Sequence, residues 1–217
     1  MNFLEDNPCP ALEFHVITNL KIETSKLKSF LSRIKMLQDH KHIRRFDLTS
    51  SIDCWGAEQE YVRYGINMDQ WKTNFELVAK NQWIYLNINQ TLSSLTIKTV
   101  PELLDFVNIS RQDREINHFF SPTLMTHPSD FLHPGIFGPE FFEKDFERIL
   151  EKMPDTNDQY QQSKKYMIGI TKQIDSCVRD NEKIKKMITY LDEIDRRRKL
   201  DWKKTFPWLA TEIEHVV

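Results

Sequence analysis

The chain is 217 residues long, 40% hydrophobic and 12% aromatic, enough to bury one substantial core and to form one domain with an appendage. Thirty basic residues against thirty-two acidic ones leave a net charge of -2, which excludes a global field drawing the protein to nucleic acid, anionic lipid or an acidic substrate. Cys9, Cys54 and Cys177 are odd in number and 45 and 123 residues apart, fitting neither a disulfide framework nor a paired-cysteine metal motif, so a reducing cytoplasm is the expected compartment.

In chain order, Leu12 to Thr18 alternates as a strand, and Thr24 or Ser25 can cap a helix whose stripe is Leu27, Phe30, Leu31, Ile34 and Leu37. The pattern recurs: a strand over Phe46 to Ile52 with a helix around Trp71, Phe75 and Val78, then a strand over Trp83 to Gln90 with a helix carrying Val100, Leu103, Leu104 and Val107. Thr99 and Pro101 suit the cap and first turn of that helix. A fourth strand is expected at Glu115 to Phe120. Strand starts near residues 14, 46, 83 and 115 lie 32, 37 and 32 residues apart, the length of a βα unit in a parallel sheet. Four such units predict a doubly wound sheet or a piece of a barrel.

Two strands discriminate between these. Phe46, Leu48, Ser50 and Ile52 share one face of the second strand, and Asp47, Thr49, Ser51 and Asp53 the other. In the third, Ile84, Leu86 and Ile88 lie opposite Trp83, Tyr85, Asn87, Asn89 and Thr91. A sheet covered on both faces would be almost wholly aliphatic, and so would the lumen of a closed barrel. Polar faces on adjacent strands therefore predict an open, partial (β/α) barrel with its lumen available to a ligand; the alternative is a solvent-facing sheet surface.

Prolines at 122, 128, 134 and 139 and glycines at 135 and 138 then predict a long loop, of the kind that serves as a lid, binding loop or strap. Beyond it three apolar stripes predict a helical extension: Phe142, Phe146, Ile149 and Leu150; then Tyr166, Met167, Ile170, Ile174 and Cys177; then Ile184, Met187, Ile188, Leu191 and Ile194. The expected organisation is a partial barrel over 1–121, a loop over 122–138, and a helical extension over 139–217 packed on the barrel. MNFLEDNPCP lacks the basic start and apolar run of a signal peptide, and no later run approaches the ~20 apolar residues of a membrane span. The expectation is a cytoplasmic chain.

Several clusters have plain readings. His118, His127 and His133 could bind zinc, but nothing in their spacing makes them converge. Asp47 and Asp53 share a strand face, yet strand rise sets them about 20 Å apart, too far for an acid and base pair. Arg196 to Lys199 with Lys203, Lys204 and Trp202 might serve RNA, but a helix laced with both signs is a solvated face, so nucleic acid is not the expected partner.

The runs ITNL (17–20), SIDCWGAEQEYVRYG (51–65) and LNINQT (86–91) resemble the middle strands of radical S-adenosylmethionine enzymes. There one strand ends in Thr-Asn-Gly, the next in Ser-Leu-Asp-Gly followed by an arginine, and the third carries a polar Asn. DRRRKLDWKKTFPWL (195–209) is similar to the close of a helical C-terminal extension in a compact subset, so the resemblance covers nearly the whole chain. It implies that S-adenosylmethionine binds across the C-terminal strand ends, with Ser51 on its ribose or carboxylate and Arg63 on the methionyl carboxylate. Thr18, Asn19 and Asn89 would line the nucleotide or substrate side, Asp53 would hold the loop or a hydroxyl, and Trp83, Tyr85 and Asn87 would face substrate. Leu20 stands where glycine is usual, which predicts an altered turn, and Cys54-Trp55 precedes Gly56.

The family's CxxxCxxC loop, whose three cysteines hold a [4Fe-4S] cluster, is missing, as is its Gly-Gly-Glu-Pro strand end. The resemblance is therefore to the C-terminal portion of such an enzyme: a fragment, split product or degenerate member, inactive alone. A cluster would require ligands from outside this chain, through an N-terminal half or a partner subunit. The alternative is a noncatalytic ligand- or RNA-binding α/β module. Substrate and reaction are not legible, since one scaffold serves many.

Overall fold

The structure is a computed structural model and describes residues 2–121 and 129–214. Its elements are α1 (Asn2–Asp6), β1 (Glu13–Thr18), α2 (Thr24–Asp39), β2 (Arg45–Ser51), α3 (Gly56–Val62), α4 (Met68–Ala79), β3 (Ile84–Thr91), α5 (Val100–Arg111), β4 (Asn117–Ser121), α6 (Glu143–Lys152), α7 (Asp158–Asp175), α8 (Asn181–Arg198), α9 (Trp202–Thr205) and α10 (Pro207–Ile213). This is an α/β chain with a four-stranded parallel sheet and a helical C-terminal region. Two compact units interleave along the sequence: Met1–Ile52, Gly65–Asn89 and Val107–Phe119 form the first, and Asp53–Tyr64, Gln90–Phe106 and Phe120–Val217 the second.

In the first unit the sheet order is β1-β2-β3-β4, so every crossover steps the same way. Right-handed crossovers that never reverse direction put their helices on one face of the sheet. Contacts bear this out: the Phe30 ring of α2 lies 5.9 Å from the Phe46 ring, and the Trp71 indole of α4 donates to Ser50 Oγ at 3.1 Å. Phe46 and Ser50 share a face of β2. Between sheet and helices, Phe46, Leu48, Ile84, Leu86 and Ile88 are buried together with Leu31, Ile34 and Leu37 of α2. The opposite face carries Asp47, Thr49 and Ser51, flanked by His15 and Ile17 on β1 and by Tyr85, Asn87 and Asn89 on β3. Ile17 and Tyr85 are 65% and 54% exposed there, so no helix covers that part of the face in this unit.

Arg114 closes the unit at the amino end of the sheet. Its guanidinium donates to the carbonyl oxygens of Val78, Ala79, Asn81 and Ile84, satisfying acceptors that the end of α4 leaves open and placing a cation at the negative pole of that helix.

The core of the second unit joins Leu92, Leu95, Ile97 and Leu104 to Phe142, Phe146 and Met187, all buried. The three long stripes read from the sequence become α6, α7 and α8, and Asn157 and Asp180 cap α7 and α8 by accepting from Tyr160 N and Lys183 N. Lys199, at φ 55°, ends α8 in the left-handed conformation. Two short helices follow that apolar periodicity did not reveal, anchored by Trp202 and Phe206, which are 1% and 0% exposed. The proline-rich segment contains two short 3-10 turns, Asp130–Leu132 and Pro134–Phe137, which bury Phe131, Ile136 and Phe137. His127 and the remainder of that segment over 122–128 lie outside the described residues.

The division of the chain differs from the linear partition expected at residue 121. Segments 53–64 and 90–106 carry Tyr61, Leu92, Leu95, Ile97 and Val100, which cluster with the C-terminal helices rather than with the sheet. Among the described residues no helix is long and apolar enough to cross a membrane.

Candidate functional site

The carboxyl edge of the sheet gathers the residues that the resemblance singles out in the first unit. Register pairs Thr18 with Ser50 and Ser51 with Asn89, so the last residues of β1, β2 and the body of β3 stand level. Ser51 and Asn89 are neighbours on the face opposite α2 and α4. Among the described residues, neither the Ser51 hydroxyl nor the Asn89 carboxamide has a hydrogen-bond partner, although Ser51 is only 9% exposed. One step down the strands, Thr49 Oγ1 bonds His15 Nε2 at 2.7 Å, and Asn87 Oδ1 accepts from Asn117 Nδ2 at 2.9 Å. In the middle of the polar face Asp47 Oδ1 and Asn117 Oδ1 nonetheless stay buried without a partner among the described residues, and at the carboxyl edge Ser51 and Asn89 are uncommitted.

Thr18 and Asn19 are occupied locally. Thr18 Oγ1 accepts from Leu20 N at 3.1 Å and Asn19 Oδ1 from Lys21 N at 3.2 Å, two side-chain turns that fold the backbone around Leu20. Leu20 sits at φ 52°, so the position does demand the left-handed conformation that favours glycine. A leucine holds it because its side chain is fully buried and Asn74 Nδ2 donates to its carbonyl at 2.9 Å.

Of the three residues expected to face substrate, the structure keeps Tyr85 and Asn87 on one face and removes Trp83. Trp83 precedes β3, its ring lies 6.0 Å from Phe46 on the helix-covered side, and its indole donates to Asn81 Oδ1 at 3.1 Å. Tyr85 lies at the amino half of its strand, beneath the Arg45 guanidinium at 4.4 Å.

In the second unit, the loop after β2 is held rigidly. Gln59 Oε1 accepts from both Asp53 N and Cys54 N at 2.9 Å, Gln90 Nε2 donates to Asp53 O at 2.5 Å, and Thr91 N donates to Asp53 Oδ1 at 3.0 Å. Arg63 meets the Asp53 carboxylate with both arms of its fork, Nε to Oδ2 at 2.5 Å and Nη2 to Oδ1 at 2.9 Å. That bond holds the guanidinium above its ordinary pKa against the opposing effect of burial. The fork that the resemblance assigns to a methionyl carboxylate is filled by the chain's own aspartate. Gln59, fully buried and central to this loop, carries no pattern in the sequence that marks it.

The cysteines fit no iron-sulfur cluster. Cys9 is exposed; burial pushes the Cys54 thiol well above its ordinary pKa, with the Asp53 charge adding to it; Cys177 is half-buried in the second unit. A cluster needs several thiolates around one centre. Among the described residues no three His, Cys, Asp or Glu side chains converge as a metal site. His133 Nδ1 is taken by Gly135 N at 3.0 Å, and His118 is buried. The basic run is likewise accounted for in part: Arg196 and Arg197 both bond Glu193.

No protein-family model, curated protein or solved structure matches this chain.

Proposed function

We propose that this chain is a binding portion of a partial (β/α) barrel of the radical S-adenosylmethionine kind, which holds S-adenosylmethionine at the carboxyl edge of its sheet. The observation that carries the reading is the Ser51–Asn89 pair: two adjacent polar side chains at that edge with no protein partner among the described residues. Parallel sheets bind ligands at the carboxyl ends of their strands. A sheet order that never reverses, with a polar face free of helices in its unit, supports the partial barrel.

S-adenosylmethionine would bring a sulfonium and an adenosyl group. The chain's part is to bind and orient: Ser51 Oγ and the Asn89 carboxamide supply donors and acceptors for ribose or carboxylate oxygens, and the Thr18–Asn19 turn fixes the neighbouring edge. Arg63 serves as a brace for the loop through Asp53. The cysteines do not fit a cluster, so no radical step is assigned to these residues.

Equilibrium dialysis with S-adenosylmethionine tests the reading. Saturable binding is expected, weakened about tenfold by either Ser51→Ala or Asn89→Ala, the worth of one hydrogen bond of about 1.4 kcal/mol. Absence of binding, or binding indifferent to both substitutions, would refute it.

A further inference from the structure

The second unit carries a partly open cavity of about 200 Å³ that the strand-edge reading does not use. Its walls divide by chemistry. Leu95, Leu132 and Ile194 supply apolar side chains, and Thr91, Ser129 and Arg198 supply polar ones. A pocket of this size is suited to a small organic molecule.

Asp53 lines the cavity but is neutralised by Arg63. Tyr61 also lines it, and its hydroxyl donates to Asp195 Oδ1 at 2.8 Å; burial and that carboxylate push the phenol upward, so it stays protonated. Trp202 N also donates to Asp195, at 2.7 Å; both donors are neutral, so Asp195 keeps its charge one turn before Arg198 on α8. Arg198 remains. It is the one arginine of the 196–198 run that does not share Glu193, it is half-buried, and its guanidinium stands 5.1 Å over the Tyr64 ring. Among the described residues no carboxylate pairs with it. The Thr91 and Ser129 hydroxyls in the same wall also lack partners among the described residues. A half-buried guanidinium held in no ion pair among the described residues, in a pocket also lined by Thr91, Ser129 and apolar side chains, is complementary to a carboxylate bearing a hydrocarbon tail.

We propose that this cavity binds a small aliphatic carboxylate, with Arg198 gripping the carboxylate and Leu95, Leu132 and Ile194 receiving the tail. A carboxylate is favoured over phosphate because one planar fork matches two oxygens, and because much of the remaining wall is apolar. The inference does not depend on S-adenosylmethionine binding, since Ser51 and Asn89 take no part in this cavity.

Protein-observed NMR titration with 4-methylpentanoate, its neutral isostere 4-methylpentanamide, and inorganic phosphate provides the test. The carboxylate should perturb resonances of Ser129, Leu132 and Ile194 and saturate, and the amide should bind at least tenfold more weakly. Arg198→Gln should weaken the carboxylate at least tenfold, with Arg198→Lys intermediate because it keeps the charge and loses the fork. Circular dichroism reports whether the variants fold, and the acid-to-amide comparison on the unaltered chain stands without them. Equal affinity for acid and amide, an Arg198→Gln protein that binds as before, no saturation by the carboxylate, or tighter binding of phosphate would each overturn the proposal. Ser51→Ala should leave 4-methylpentanoate binding unchanged while weakening S-adenosylmethionine, so failure of one proposal is distinguishable from failure of the other.

Discussion

Leu20 shows how two opposing terms can be weighed at a single residue. Left-handed backbone costs an L-residue about 1–2 kcal/mol, so Leu20→Gly relieves strain at φ 52°. The same change removes a fully buried leucine, worth about 2–5 kcal/mol when truncated. Burial wins: Leu20→Gly should lower stability by about 1–3 kcal/mol in urea denaturation, and a more stable glycine variant would show that strain dominates. A second residue-scale prediction concerns Asp53, whose side chain is 7% exposed against 30% for Arg63. Asp53→Asn leaves the arginine without its counter-charge and should cost about 2–3 kcal/mol, below the 3–5 of a fully buried pair because the guanidinium can still reach water. Adding Arg63→Gln should restore part of that loss, as urea denaturation of the double variant would show. The altered turn expected from Leu20 in place of glycine is not found, because the leucine itself takes the left-handed conformation. The Asp53–Arg63 bond was not legible: both residues were marked, but for separate partners, and nothing in a ten-residue separation says that the loop folds back on itself.

Elements respond through the groups they bury. On β4, burial and the charge of Arg111 hold His118 well below its usual pKa of 6.5, so it is neutral in the folded protein. The unfolded chain takes up a proton there as pH falls through about 6.5, so this contribution is complete above that value and declines below it. His118→Gln should flatten the loss of stability between pH 7 and pH 5 measured by thermal unfolding; an unchanged slope would assign it to other groups. At the end of α8, the bonds from Arg196 and Arg197 lower Glu193 to about 2. Its contribution is complete above about pH 4.5 and is lost progressively as pH falls from there to about 2, and because the site is solvent-exposed, 1 M salt should move the NMR titration midpoint upward. Strand and helix positions were largely legible because periods of 2 and 3.6 report directly on burial. Trp83 was misplaced because alternation continues arithmetically past the residue where β3 begins, whereas the backbone there turns its ring to the Phe46 side. α9 and α10 were missed because four and seven residues are too few to display a stripe.

For the whole molecule, the polar half of the sheet was foreseeable from Asp47, Thr49 and Ser51 alternating with Phe46, Leu48 and Ser50, and the single-direction sheet order agrees with it. The interleaved units were not, because clustering of Tyr61, Leu92 and Leu95 with the C-terminal helices depends on contacts between residues far apart in sequence. Arg114 illustrates the same limit, since its four carbonyl partners lie more than two dozen positions upstream. The central claim is that the carboxyl edge of the sheet is the cofactor-binding surface. Backbone amide shifts of ¹⁵N-labelled protein during titration with S-adenosylmethionine test it most directly: resonances of Thr18 to Leu20, Ser51, Ile52 and Asn89 should move together and saturate on one isotherm, whereas no saturable shift, or shifts confined to α6–α10, would contradict it.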